Sequence, residues 1–527
     1  MTGRQGDTTM NSKLSMNRRD AVRALGAVGA ATALPSLAAN GASPAAGEGA
    51  AFDTAVADMP WLAPFKGLDD ADPARTDLRC ESLAISGRWP AELRGRFYRN
   101  GPALFERNGQ RYHHWFDGDG MVQQFTFSGR GVSHVGRLVR TPKLAAEREA
   151  GRFLYSAFGT GIQSEAPIQG PDSINVANTN AIEHAGRVLA MWEGGSAFAL
   201  DPNDLSTLGP VTWKEGFEQV PFSAHPKLDT AGNLWNIGTF GDKIVVWHID
   251  AAGKLASVQV DVSPYPNGMA HDVAVTPQYI VLPLPPVKMN YAAVAKGATP
   301  EQAFDFQKSE PLRILVMRKD DIVQRRVFEL PTQFVFHVGN AHERGDGSIA
   351  LTYVAARDDE FLIHGAVALV AGHVVGLAGS QMQSAVLDMK TGHASVDELP
   401  GVVEFPRVDP RRIGSAARHV VSAASWRTVP QRQGALFHGV QLRDLQTGRV
   451  DRFDYGQGAV VEEHIVVPKP RSTHELDAWL VGTTFDAARK VTSVNVLDAR
   501  RVADGPIARA ALPYWLPLGF HGNFTAG

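Results

Sequence analysis

Seventeen histidines stand against a single cysteine, Cys80, so metal chemistry in this chain falls to imidazole nitrogens and carboxylate oxygens. The same count excludes a disulfide framework and any zinc or iron–sulfur site built on thiolates. Most of the histidines have ordinary neighbours, but four do not. His225 lies in SAHPKLD, His271 in GMAHDVAVTPQYIVL, His337 in FVFHVGNAHE and His521 in GFHGNF, close to the C-terminal residue. Their intervals of 46, 66 and 184 residues fit no local metal motif of the HExxH kind. Ligands so dispersed meet only in a fold that returns distant strands to one axis, as a propeller does.

The elements that would position them read as strands. Short runs rich in Val, Ile, Leu, Thr and aromatic residues recur from residue 59 onward: 232–240, 243–250, 279–286, 313–318, 348–357 and 477–485. Short polar connections such as Ala231-Gly232-Asn233 and Gly345-Asp346-Gly347 separate some of them, as in hairpins. Helical periodicity is confined to 143–151 and 301–308. The 52 Gly and 32 Pro fit a turn-rich chain. Together these features predict an all-β propeller, sandwich or barrel, although no WD or kelch repeat is visible. Asp117-Gly118-Asp119-Gly120 reads as a tight hairpin turn rather than a calcium loop. The run 361–379 is nearly all apolar but carries His364, His373 and four glycines. It reads as a buried or lid segment, or as an apolar patch through which a lipid-like substrate enters from a membrane.

Before residue 59 the chain differs. Arg18-Arg19 precede an Ala/Gly-rich apolar stretch, Ala24–Leu34, which is followed by small residues. This resembles a twin-arginine export signal over 1–39, with a flexible leader over 40–58 and one domain over 59–527. The stretch is too short to span a bilayer. Export to a bacterial periplasm is expected, with peripheral membrane contact an open expectation. The near-balanced charge, 52 Lys and Arg against 55 Asp and Glu, gives no electrostatic footprint for nucleic acid.

A series of motifs now falls into order: FYRNGP (97–102), HWFDGDGM (114–121), NTN (178–180), WEGG (192–195), SAHPKLD, MAHD, FHVGNAHE, EFPR (404–407), EEHIVVP (462–468) and FHGNF. In this order the chain resembles the carotenoid cleavage oxygenase family over most of residues 80–525. The family includes carotenoid, apocarotenoid and stilbene oxygenases and the retinal pigment epithelium isomerase. The resemblance implies a seven-bladed β-propeller capped by loops and short helices, with one Fe(II) per chain held on its axis. The matching ligands are His225, His271, His337 and His521. His342 falls where the family has Tyr or Trp, and is not counted. Glu193, Glu404 and Glu463 match the carboxylates behind three ligands. The register against Val466-Val467-Pro468 selects Glu463, with Glu462 the neighbouring alternative; the family's usual Glu-Pro is Glu463-His464 here.

The implied reaction is cleavage of a conjugated C=C bond by O2 into two carbonyl products, with no acid–base residue required beyond the metal centre. Trp115, Phe116, Phe158, Trp192 and Phe520 are candidates for the substrate tunnel, and plain core packing is the alternative for each. The stilbene-cleaving branch holds a phenol with a Tyr and a Lys, and Phe158 and Trp192 take those places here. That favours a carotenoid or apocarotenoid over a lignostilbene. Two other classes remain as alternatives: a His-ligated zinc hydrolase, and an exported propeller that binds without turnover.

Overall fold

The computed structural model describes residue 45 and residues 47–527, except 69–75, 130, 164–165, 267, 375–378, 429–433 and 435. The signal-like segment lies outside these residues. All six runs expected as strands form them: Leu234–Phe240, Lys243–Ile249, Tyr279–Leu284, Leu312–Arg318, Ser348–Ala356 and Ala478–Asp486. Most of their residues are buried on both faces, which is why they read as continuous apolar runs rather than alternating ones.

The strands form antiparallel meanders laid down in chain order. Four-stranded sheets cover 180–210, 227–262 and 274–330, the last with a small hairpin inserted. A seven-stranded sheet runs from Phe334–Glu343 to Val450–Asp454. Its central strand, Ala394–Arg407, is 14 residues long. The first half pairs mainly with Gln381–Asp388 and the second with His419–Ser425, so two four-stranded units share one strand. Two further sheets join the ends of the chain. Ala84–Gly87 pairs with Pro506–Ala511, and Arg94–Leu104 pairs with the last strand, His521–Ala526.

The apolar core lies between sheets. Ile182, Leu189 and Met191 of one sheet meet Leu234, Val245 and Trp247 of the next. Similar clusters join each following pair. Phe97 and Phe125 then meet Val481, Val494 and Ala510, while Tyr98 and Val122 meet Ala181 and Val188. The succession of interfaces therefore closes on itself, through the sheet that holds both early and final strands.

Three expectations need correction. Residues 48–58 are not a flexible leader: Glu48–Asp58 is a helix. Its Phe52 ring is buried over the Arg111 guanidinium at 3.9 Å, and Arg111 N–H donates to Glu48. The helix holds this position because Phe52 covers the buried guanidinium and Glu48 takes the backbone N–H of the same arginine. The helix expected over 301–308 stops at Ala303, capped at its start by Thr299 and Gln302, and Phe304–Phe306 is a strand. Asp117-Gly118-Asp119-Gly120 is no hairpin turn: Trp115–Asp117 is a 3-10 turn, and Asp119 opens the strand Asp119–Ser128. The expected helix at 143–151 is present as Pro142–Ala150, with Thr141 as its N-cap. Among its described residues the run 361–379 forms a π-helical turn, Phe361–Gly365, that leads into a short α-helix, Ala366–Val370, and it buries Leu362, Leu369 and Val370. Among the described residues no helix is long and apolar enough to cross a membrane.

Deletion of residues 520–527 removes a buried aromatic, a histidine and the strand that joins the two ends of the chain. Loss of Phe520 alone costs about 3–5 kcal/mol. The expected outcome is a chain with no bound metal and a lowered, broadened thermal transition. Metal analysis and calorimetry of the truncated protein check it.

Candidate metal centre

His225, His271, His337 and His521 come from four separate sheets or their flanking loops, and each offers one nitrogen within 4.8 Å of the others. The Nε2 atoms of His225 and His271 are 2.9 Å apart, and those of His337 and His521 are 3.1 Å apart. All four rings are buried. Burial, followed by the neighbouring imidazoles, holds His225 well below the usual histidine range, and burial brings His521 down to about 3. Both are therefore neutral, the form in which imidazole binds a metal. His342 stands outside this group.

The three glutamates stand behind three of the rings. His271 Nδ1 is 3.0 Å from Glu193, His337 Nδ1 is 2.6 Å from Glu404, and His521 Nδ1 is 3.0 Å from Glu463. An Nδ1–H donated to a carboxylate fixes the tautomer that turns the Nε2 lone pair inward. For His271, burial lowers the pKa, but the Glu193 charge and hydrogen bond override it and raise it. Glu462 does not share this role: its carboxylate accepts from Gly519 N–H and lies 3.4 Å from Arg99. The register that favoured Glu463 over Glu462 agrees with this geometry.

Strand irregularities place three of these residues. Phe336-His337 opposes a single residue of the neighbouring strand, as do Phe405-Pro406 beside Glu404 and Glu462-Glu463. Each is a β-bulge, which re-aims a side chain that regular alternation would point elsewhere. The bulge after Glu404 holds Phe405 at φ 57°, a left-handed conformation rare for an aromatic residue.

Three residues with supporting roles were not singled out from sequence, although each lies inside a motif quoted there. Arg407 reaches Glu463 at 2.9 Å and Arg99 reaches it at 3.2 Å. Burial alone would raise the Glu463 carboxyl, but Arg407, His521 and Arg99 hold it well below the usual carboxylate range. Asp272 accepts from Lys227 at 2.7 Å and from Val338 N–H at 2.7 Å, tying the loop of His271 to the strand of His337. It lies 4.0 Å from His225 Nδ1, beyond hydrogen-bond length, so among the described residues His225 has no carboxylate partner of the kind the others have.

A cavity of about 1470 Å³ reaches His271, His337 and His521. Trp115, Phe116, Phe158, Trp192 and Phe520 all line it, joined by Phe304, Phe336 and Phe405. Trp115 and Phe520 also pack in a buried aromatic cluster, so core and wall are the same residues there. Gly194 lets the Trp192 indole lie close to the backbone, since a Cβ there would come within 2.8 Å of the ring and displace it. His114 also has a function invisible in sequence. Its Nδ1 accepts from Phe116 N–H, so Nε2 carries the hydrogen and donates to Leu362 O at 2.8 Å. Arg111 Nε–H donates to Val370 O at 2.9 Å. Together they fasten the segment of Leu362 and Val370 along the cavity wall.

Glu193→Gln keeps the shape and removes the charge behind His271. Its side chain is about one-third exposed, so the fold tolerates the change. Metal retention is expected to fall by ~10–100-fold with an unchanged melting temperature. Metal analysis after dialysis against a chelator, beside a thermal melt, checks it.

The family model described as retinal pigment epithelial membrane protein matches residues 71–526. A lignostilbene-α,β-dioxygenase isozyme III of Sphingomonas paucimobilis is 29% identical, with 86% of this chain and 95% of that protein covered. An apocarotenoid-15,15′-oxygenase of a Synechocystis strain is also 29% identical, with 84% and 92% covered. The solved structure of cobalt-substituted Synechocystis apocarotenoid oxygenase superposes with a TM-score of 0.77 at 25% identity, covering 89% of this chain and 98% of that one. With its histidine quartet, its carboxylates and a family match over nearly all of its described residues, this chain belongs to the carotenoid cleavage oxygenase family.

Proposed function

We propose that the protein is an Fe(II)-dependent dioxygenase that cleaves a C=C bond of an elongated, apolar, conjugated substrate of the carotenoid or apocarotenoid class. The observation that carries this is four converging imidazoles, three of them at the wall of a large aromatic cavity. The donor set fits iron: uncharged imidazoles in this number suit Fe(II), and no thiolate is present to favour a softer ion. A zinc hydrolase would need a base beside an open position, whereas the glutamates here are committed to the far side of the rings.

The sheets and their ring of interfaces support a seven-bladed propeller: the shared strand Ala394–Arg407 divides the largest sheet into two blades, and each apolar cluster seals one blade against the next. The residues then divide the work. The histidines present nitrogen lone pairs, and the glutamates keep their tautomers. Phe116, Phe158, Phe304 and Phe336 form a packed wall, with ring centroids 5.5–6.3 Å apart in contacting pairs, that orients a flat polyene and excludes water. Bound there, Fe(II) supplies the redox chemistry that lets O2 react with the alkene. Both oxygen atoms end in the two carbonyl products, so no external reductant and no acid–base residue is needed.

The cavity wall supports the choice of substrate. Arg427 is the only Lys or Arg among its described residues, and Asp454 holds that guanidinium at 2.6 Å. A phenolate would find no free cation and would face several carboxylates. Phe158 and Trp192 add no cation. The two relatives reported above carry names from both substrate classes, so the assay must offer both. The twin-arginine-like segment supports export of the folded, metal-loaded chain.

The test is an aerobic assay of the Fe(II)-reconstituted protein with an apocarotenal and a 4-hydroxystilbene. The expected result is bleaching of the polyene into two carbonyl products, with stilbene turnover lower by up to ~100-fold, the order by which an apolar pocket disfavours an added hydroxyl. Stilbene cleavage alone overturns the substrate reading. Binding of either compound without turnover overturns the enzyme reading.

A further inference from the structure

A second, much smaller cavity lies beside the centre, between the strands Arg94–Leu104 and Ala478–Asp486 and the chain leading into His521. Its volume is about 10 Å³, and its lining includes Arg99, Asn100, Thr483 and Glu462. Three of these residues carry buried polar atoms with no hydrogen-bond partner among the described residues: Arg99 Nε and Nη2, Asn100 Oδ1 and Thr483 Oγ1. Native interiors leave few such groups. That four belong to the lining of one cavity sets it apart.

The amide of Asn100 cannot be turned over to relieve this. Its Nδ2 donates to Ala177 O at 2.9 Å and to Asn180 O at 3.0 Å, so Oδ1 must face elsewhere and needs a donor. Arg99 Nη2 lies 3.4 Å from Glu462 Oε1, long for a hydrogen bond. The unpaired set is therefore two N–H donors and two oxygens. A water molecule offers two lone pairs and two hydrogens, and one water needs roughly 10–15 Å³ of such space. An anion would satisfy the arginine but repel the carbonyl oxygen of Asn100.

We propose that one internal water occupies this cavity and acts as a positioning element for the metal centre. The path runs through Arg99. Its Nη1 holds Glu463 Oε2 at 3.2 Å, and Glu463 Oε1 holds His521 Nδ1 at 3.0 Å. Without a partner for Nε, the guanidinium gains by rotating towards one, and Nη1 leaves Glu463. Thr483 is the residue opposite the Glu462-Glu463 bulge, so the strand that supplies a partner for the water also faces the bulge that aims Glu463. This coupling step rests on the metal reading above, whereas the water site does not.

Two measurements test it, both on the full mature chain loaded with Fe(II). In a high-resolution crystal structure, one peak is expected within hydrogen-bond reach of Arg99 Nε and Asn100 Oδ1. A dry cavity, or a peak that gives an anomalous signal after a bromide soak, overturns the water site. In a chelator challenge, Thr483→Val is expected to release iron about fivefold faster, the worth of one net hydrogen bond, while Thr483→Ser behaves as the unmodified chain. Equal rates for the Val and Ser variants overturn the positioning role. Should Thr483→Val fail to fold, Thr483→Ala takes its place in the chelator challenge and is expected to release iron faster than Thr483→Ser by the same margin. A filled cavity in an unmodified chain that takes up no Fe(II) supports the water site and overturns the metal reading.

Discussion

Four nitrogen lone pairs brought within a few ångströms of one another, in a buried place, repel. Two Nε2 atoms 2.9 Å apart can coexist only with a proton or a metal ion between them. Everything around the centre serves to hold this arrangement against that repulsion. No single strand could do so, since each histidine is carried by a different part of the chain. The restraint must come from the closed succession of sheets and from its packed interfaces. A ring also suits the task because loosening one interface strains its neighbours, and the strand bearing His521 is paired directly to Arg94–Leu104 near the start of the domain.

The second layer makes the first one directional. A buried imidazole could turn about its ring axis or exchange tautomers, and either would spoil the centre. Glu193, Glu404 and Glu463 remove that freedom for three rings, and Glu463 is itself held by two arginines. His225 is the exception, and its restraint comes from packing against the other rings. The bulges explain how carboxylates on regular strands reach inward at all. They cost ladder hydrogen bonds and, at Phe405, backbone strain, which is the pattern expected where position matters more than local stability.

Much of this was legible in the sequence. The strands were legible because sheets packed on both faces leave unbroken β-branched runs. The four histidines and three glutamates were legible only because whole motifs surround them; spacing alone said no more than that a fold must gather them. The bulges were not legible, since an extra residue in a strand leaves no compositional mark, and Glu462 and Glu463 look alike until the register is known. The helix Glu48–Asp58 was hidden because its small residues read as a linker, and its anchor, Arg111, lies far along the chain. His114 looked ordinary because its partner is a backbone carbonyl, Leu362 O, in a distant segment. Arg99, Arg407 and Asp272 lay in plain view within motifs, but charge partners distant in sequence cannot be paired without the fold.

The charge balance of the centre links it to its substrate. Counted in their ordinary charged forms, Glu193, Glu404, Glu462 and Glu463 face Arg99 and Arg407, while Asp272 and Lys227 cancel. Counted with uncharged imidazoles, the protein alone thus leaves an excess of two negative charges around the four rings. A divalent cation brings the sum to zero, and a trivalent one does not. Neutrality matters here because the adjoining cavity is walled by aromatic rings, where an unbalanced charge would be poorly screened. A carboxylate among the metal ligands would balance the ion locally but would bring a charged edge to the cavity. Imidazole ligands with the carboxylates set behind them keep the balancing charge off the reactive face. On the Fe(II) reading, the same arrangement leaves an apolar, conjugated substrate free to lie against the centre.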